Sequence, residues 1–317
     1  MQGVIMKHIA ISMGDLNGIG IQLALENHHI ISKMISPLYC IDSIMLEQAT
    51  KKLNLSIPSD FKIIGEISPS FKIEAGTVNK ESGAYAYASF VKAVTLAKEK
   101  KVDAICTLPI HKKAWELAGI HYKGHTDALR DFFDAEAIMM LGCPQMYVAL
   151  FTEHIPLKEV ASNINEEKLT RFLLDFYHTA KPKITVAVLG LNPHAGDEGV
   201  LGDEERIIEK AINNANTALR QTKDHTKAYR GPLVPDVAFT PNIRKCYTHY
   251  IAMYHDQGLA PLKALYFDEG INVSLNLPIL RTSVDHGTAF DIAYKGVELN
   301  GASYLNAIKY IVNAENG

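Results

Sequence analysis

Along most of this chain, short and nearly continuous apolar runs alternate with longer stretches whose apolar residues recur every three or four positions. The runs include His8-Ile9-Ala10-Ile11-Ser12, Asp103-Ala104-Ile105-Cys106-Thr107, Met146-Tyr147-Val148-Ala149-Leu150-Phe151 and Ile184-Thr185-Val186-Ala187-Val188-Leu189. Strands without polar alternation suit a sheet covered on both faces. Tyr250-Ile251-Ala252-Met253 reads as another buried strand. Between the runs, residues 79–101 repeat Ala, Val and Leu at helical spacing with lysines at the end. Residues 203–219 do the same behind Asp203, Glu204 and Glu205, the charge that a helix start favours. The alternation predicts an α/β fold of helices layered on largely parallel strands. No repeat, low-complexity stretch or linker interrupts it, so a second domain is expected to be closely joined to the first.

Polar clusters follow the apolar runs, where open α/β sheets place their ligands. They are Thr152-Glu153-His154, Asn192-Pro193-His194-Ala195-Gly196-Asp197, His255-Asp256-Gln257-Gly258 and Arg281-Thr282-Ser283-Val284-Asp285-His286-Gly287-Thr288-Ala289. The third has a plainer reading as a helix start capped by Asp256. Three clusters carry a histidine just past a strand: His154, His194 and His255. Imidazole is the commonest metal ligand, and ligands spread over three strand ends are typical of catalytic sites. His8, His28, His29, His178, His225 and His249 lack that context. Arg281, behind Leu277-Pro278-Ile279-Leu280, either pairs within the protein or binds an anion. Lys112 and Lys113 read as solvated surface residues. Gly14-Asp15-Leu16-Asn17-Gly18-Ile19-Gly20 lacks the dinucleotide spacing and reads as a tight strand-to-helix turn or a weak phosphate cradle.

Composition narrows the function classes. A net charge of −3 over 317 residues, with no block of like charge, gives nothing for a nucleic acid or a membrane surface to attract. No run approaches the length of a membrane span. Cys40, Cys106, Cys143 and Cys246 have neither zinc nor redox spacing, and Cys40 and Cys106 sit in apolar runs, so buried thiols in a reducing cytoplasm are expected.

Four motifs together resemble the 4-hydroxythreonine-4-phosphate dehydrogenase family of pyridoxal phosphate biosynthesis: Gly124-His125-Thr126-Asp127, Leu191-Asn192-Pro193-His194-Ala195-Gly196, Tyr254-His255-Asp256-Gln257-Gly258 and Ser283-Val284-Asp285-His286-Gly287-Thr288-Ala289. The resemblance runs in order through nearly the whole chain. It implies two interlocked α/β/α domains like those of isocitrate and isopropylmalate dehydrogenases, here residues 1–118 with 265–317, and 119–264. It implies a divalent metal (zinc, magnesium, manganese or cobalt) on His154, His194 and His255. Substrate contacts fall on His125, Thr126, Asp236, Lys263, Asn272 and Arg281, and NAD or NADP contacts on Asp285, His286, Gly287, Thr288 and Ala289. His255 and Lys263 are the implied catalytic pair, with Lys263 either moving a proton or clamping phosphate. A homodimer with a shared active site and a phosphorylated small-molecule substrate are also implied.

The chain departs from the family's usual pattern at several points. Leu16 replaces proline, Ile21-Gln22 replaces Pro-Glu, Asp127 replaces glutamate, Leu108 replaces glycine, and Tyr294 replaces the first glycine of Ala-Gly-x-Gly. None removes an expected ligand, while the first and last bear on loop geometry or cofactor preference. The competing readings are a related dehydrogenase of another phosphorylated hydroxy acid, such as D-threonate 4-phosphate, a metal-dependent hydrolase and a non-catalytic binding protein.

Overall fold

The computed structural model describes residues 6–65, 67, 69–220 and 228–314. Both ends of the expected first domain and His225 lie outside the described residues. Contacts divide the chain into two compact units, residues 1–135, 271–273 and 277–317, and residues 136–270 and 274–276.

In chain order the first unit contributes β1 (His8–Ser12), α1 (Gly20–Ile31), β2 (Ser36–Cys40), α2 (Ser43–Leu53), α3 (Lys80–Lys98), β3 (Ala104–Thr107), α4 (Lys112–Leu117) and α5 (His125–Phe133). The second contributes β4 (Ile138–Cys143), β5 (Met146–Leu150), α6 (Val160–Asn163), α7 (Glu166–Ala180), β6 (Val186–Leu189), α8 (Glu204–Arg220), β7 (Tyr229–Leu233), α9 (Pro235–Ala238), α10 (Pro241–Arg244), β8 (His249–Ala252) and α11 (His255–Tyr266). Strand β9 (Ile271–Leu275) is shared between the units, and β10 (Leu280–Val284) and α12 (Ala302–Asn313) belong to the first.

Strands β1, β3, β5, β6 and β8 fall on the apolar runs that predict them, while β2, β4, β7, β9 and β10 lie outside those runs. In the first unit β2, β1, β3 and β10 lie side by side, all parallel. Every residue of β3 is buried, as a two-sided cover requires. Helix α3 packs on β1, β2 and β3, and α12 on β3 and β10. Asn79 starts α3 by accepting the Ser82 N–H at 2.8 Å, which satisfies one of the helix's orphan donors. Helix α5 belongs here because His125 packs edge-on against Trp115 and Phe90, so the unit reaches Ala135, beyond the expected boundary at 118.

In the second unit the order is β4-β5-β8-β6-β7, with β4 antiparallel to β5 and the other pairs parallel. Its core joins Val148, Leu150, Leu189, Tyr250 and Ala252 from the strands to Leu259 and Leu262 of α11. Helix α11 can lie this close because Gly258 faces β5, where a Cβ would stand 2.3 Å from Val148 Cγ1. Three of the four cysteines are buried and Cys246 is exposed. Among the described residues no helix is long and apolar enough to cross a membrane.

Candidate active site

Strands β5, β8 and β6 are parallel neighbours, so their carboxyl ends share one edge of the second unit. His154, His255 and His194 follow those three ends. Beyond β5, the Phe151 N–H bonds Ala252 O at 2.9 Å, and the Thr152 N–H and hydroxyl bond Met253 O at 3.2 and 2.6 Å. Gln257 ties the next two ends together. Its Oε1 accepts the Met253 N–H at 2.7 Å and its Nε2 donates to Gly190 O at 2.7 Å. Sequence reasoning noticed this glutamine but gave it no role, because both partners are backbone groups.

The helix-start reading of this segment is right about the helix and wrong about the cap. Tyr254 is the N-cap residue, and no side chain caps the helix. The Asp256 carboxylate instead holds His255 Nδ1 at 2.6 Å, which leaves Nε2 directed elsewhere. A carboxylate behind an imidazole is the usual support of a metal-ligating histidine. The His154 and His255 rings lie 5.5 Å apart between centroids.

His194 sits in the most unusual backbone of the molecule. Residues His194 to Glu198 all have left-handed φ, between 45° and 79°. Such backbone is unfavourable for every residue but glycine, and the segment is held from behind by α8. Glu205 Oε1 accepts the N–H groups of Leu191 and Asn192 at 2.8 and 2.7 Å, and its Oε2 accepts Asn192 Nδ2 at 2.9 Å. Glu204 takes the same amide at 2.8 Å, which holds its carboxyl below the usual range. Glu205 was read only as helix-start charge, yet it is buried and shapes the histidine loop.

Among the described residues, no three His, Cys, Asp or Glu side chains gather closely enough to hold a metal. One chain thus presents a pair of neighbouring imidazoles, one backed by a carboxylate, with the exposed His194 outside the group. The donor chemistry of the pair fits a divalent ion of zinc or cobalt type. Also in this unit, Asp236 is exposed in the first turn of α9, and half-buried Lys263 on α11 places Nζ 5.8 Å from the Phe267 ring centroid.

The first unit holds a different set. In β1, β3 and β10, Ser12, Thr107 and Ser283 lie in register at the carboxyl ends. Arg281, 2% exposed, directs Nε and Nη2 to Thr107 Oγ1 at 3.1 and 2.7 Å. Burial lowers its pKa to about 10, with Cys106 opposing, so it is cationic at neutral pH. His125 opens α5 with Thr126, and both are buried. Burial first, and the Arg281 charge second, hold the His125 imidazole well below its ordinary pKa and hence neutral. His125 Nε2 and Asn272 Oδ1 are buried with no hydrogen-bond partner among the described residues. The buried cation suits an anionic group, and the Asn272 amide oxygen, an acceptor, suits a hydrogen-bond donor.

After β10, the Asp285 N–H bonds Ser303 Oγ at 3.2 Å, and His286 Nδ1 lies 3.2 Å from Gly287 O. Gly287 is exposed, with no atom within 4 Å of where its Cβ would stand, so a ligand can approach this backbone closely. Thr288 is buried, and its carbonyl accepts the Ile19 N–H at 3.1 Å. The turn at Gly14–Gly20 favours the tight-turn reading, because four of its N–H groups are used internally: Asp15 on Pro109 O, Asn17 on Asp15 Oδ1, Gly18 on Asp15 O and Ile19 on Thr288 O. Lys112 and Lys113 are exposed, as expected. His28 proves to be buried beside Tyr39, and His249 is half-buried beside Thr248.

Polar side chains at the carboxyl ends of parallel strands, with a buried arginine near a neutral imidazole, are the arrangement with which α/β folds hold small ligands. The comparisons narrow that reading. The family model described as pyridoxal phosphate biosynthetic protein PdxA matches residues 28–311. The 4-hydroxythreonine-4-phosphate dehydrogenase of Sulfurimonas denitrificans is 61% identical over 301 residues, 95% of each chain. That of Campylobacter fetus subsp. fetus is 50% identical over 308 residues, 97% of this chain and 98% of its own. The crystal structure of the 4-hydroxythreonine-4-phosphate dehydrogenase from Klebsiella pneumoniae matches with a TM-score of 0.80 and 30% identity, covering 99% of this chain and all of that one. The chain belongs to the PdxA family.

Proposed function

We propose that this chain is a metal- and NAD(P)-dependent dehydrogenase of 4-phosphohydroxy-L-threonine in de novo pyridoxal 5'-phosphate synthesis. The product of oxidation is 2-amino-3-oxo-4-phosphooxybutanoate, a β-keto acid that loses carbon dioxide to give 3-amino-2-oxopropyl phosphate. The observation that carries this reading is the buried Arg281 beside a neutral, buried His125 whose Nε2 has no partner among the described residues.

Arg281 offers a planar cationic fork to the substrate's phosphate or carboxylate, with Thr107 fixing one side of it. His125, Thr126 and Asn272 supply neutral hydrogen-bonding groups that orient the substrate without adding charge. Asp236 and Lys263 complete its contacts, and Lys263 is the group of this chain that can move a proton to or from the reacting hydroxyl. His154, His194 and His255 would hold the metal, with Asp256 fixing the His255 ring. A divalent ion supplies positive charge that lowers the hydroxyl pKa and favours charge developing on the carbonyl oxygen. Asp285 to Ala289 would hold the dinucleotide, which would supply the hydride acceptor.

A homodimer sharing its active sites accounts for the imidazole pair in one chain with His194 outside it. Exposed apolar side chains of the same unit support an interface there: Leu157 at 69%, Val200 at 79% and, on α9, Val237 at 47% exposure. The protein is placed in the cytoplasm, in keeping with its buried free thiols.

The test is nicotinamide absorbance with purified protein offered 4-phosphohydroxythreonine or D-threonate 4-phosphate, before and after stringent chelation. Turnover of the first, abolished by chelation and restored by a divalent metal, is expected. Preference for the second would overturn the substrate. Undiminished turnover after chelation and in the triple His154→Ala, His194→Ala, His255→Ala variant would overturn the metal.

A further inference from the structure

Tyr294 has φ 61°, a left-handed conformation that a tyrosine seldom adopts. Its hydroxyl donates to Leu16 O at 2.7 Å, across 278 residues of chain. Burial raises its pKa, so the group remains a protonated donor. Three residues on, Val297 O accepts Gln22 Nε2 at 2.9 Å. A carboxylate in place of that amide has no proton to donate.

Both ties reach the turn and helix that meet the Asp285–Ala289 loop. The Ile19 N–H bonds Thr288 O, and at Gly18 a Cβ would stand 2.7 Å from the same oxygen. Between Thr288 and Val297, the N–H groups of Ile292 and Ala293 both bond Ala289 O at 3.1 Å, and the Lys295 N–H bonds Ile292 O at 3.2 Å. Residues 288–297 are therefore one compact turn fastened at Thr288, Tyr294 and Val297. Leu16, Gln22 and Tyr294 are also three of the positions at which the sequence departs from its family's pattern, and they meet here in one place. A glycine at 294 would adopt the same φ without strain but would tie nothing.

We propose that Tyr294 and Gln22 are positioning residues that strap the turn after the Asp285–Ala289 loop onto the first turn of the chain and so hold that loop in its cofactor-binding shape. The proposal rests on reading the loop as the NAD(P) contact.

The experiment compares wild type with Tyr294→Phe, Gln22→Glu and His286→Ala. It measures NADH and NADPH dissociation constants by fluorescence titration of the full-length protein, KM for each substrate, and the melting temperature. Phenylalanine keeps the ring and removes the hydroxyl. Tyr294→Phe is expected to weaken dinucleotide binding roughly three- to tenfold, the range carried by one net hydrogen bond, and Gln22→Glu at least as much, because the same amide also donates to Glu26 Oε1 at 2.8 Å, with KM for the phosphorylated substrate unchanged in both. His286→Ala, in the loop itself, is expected to weaken dinucleotide binding as well. If His286→Ala weakens binding while the two strap variants only lower the melting temperature, the strap is structural and the proposal is overturned. If all three leave dinucleotide binding unchanged, the loop is not the cofactor contact, and the proposal falls with that reading.

Discussion

Replacing Glu205 by alanine removes the buried carboxylate that holds the backbone of the His194 loop. It takes away acceptors for two backbone N–H groups and the Asn192 amide, at 2.7 to 2.9 Å. Hydrogen bonds to a charged acceptor contribute about 1.5–3 kcal/mol each. The three are not additive, water reaches half-buried Leu191 and Asn192, and Glu204 still holds the Asn192 amide, so the net loss is about 3 kcal/mol. The left-handed run behind it, His194 to Glu198, contains four non-glycine residues that disfavour this backbone by roughly 1–2 kcal/mol each. Losing the anchor therefore lets the loop relax and carries His194 away. If binding must rebuild the loop, metal affinity falls by about a hundredfold, at 1.4 kcal/mol per tenfold. The assay is competition for zinc against a chromogenic chelator, with melting followed by circular dichroism. Glu205→Gln, which keeps an acceptor for both N–H groups but turns an amide toward Asn192, should fall between. A lowered melting temperature with wild-type metal affinity would refute the reasoning.

Two further outcomes follow from the first unit. Arg281→Lys is expected to raise KM for the phosphorylated substrate roughly tenfold or more, because an ammonium lacks the fork that meets Thr107 and an anion together; a variant altered only in melting temperature would place Arg281 in structure alone. Asp15 is the pH probe. Burial raises its carboxyl from 3.8 to about 6, against the Asn17 N–H and the Ser82 hydroxyl. With the folded pKa above the unfolded one, its favourable contribution is complete below 3.8 and lost as pH rises through about 6. At neutral pH the buried charge costs about 3 kcal/mol, at 1.36 kcal/mol per pKa unit. Asp15→Asn should therefore be more stable than wild type near pH 8, with the gain shrinking toward about pH 4. Melting curves across that range test it, and a pH-independent difference would sink it.

The sequence by itself determined half of the strands and the helices at α3 and α8. Strand β1 spans His8–Ser12 as its apolar run does, β3, β5 and β6 lie within theirs, and α3 follows its N-cap Asn79. These signals are legible because they are local: side-chain periodicity, a capping oxygen, an apolar run ended by polar residues. The polar clusters after the strands were legible for the same reason. Only the tertiary structure decided the rest. It made β5, β8 and β6 neighbours, which brings three separate histidine loops to one edge. It turned Asp256 from a presumed cap into the partner of His255, and it paired the N–H groups of Asp15, Asn17, Gly18 and Ile19 inside the protein. It made His125 neutral by burying it near Arg281, and it joined Tyr294 to Leu16. Strand order, partner choice and a shifted pKa depend on which distant segments exclude water from one another. No local pattern encodes that, because every group in it could equally have been met by solvent.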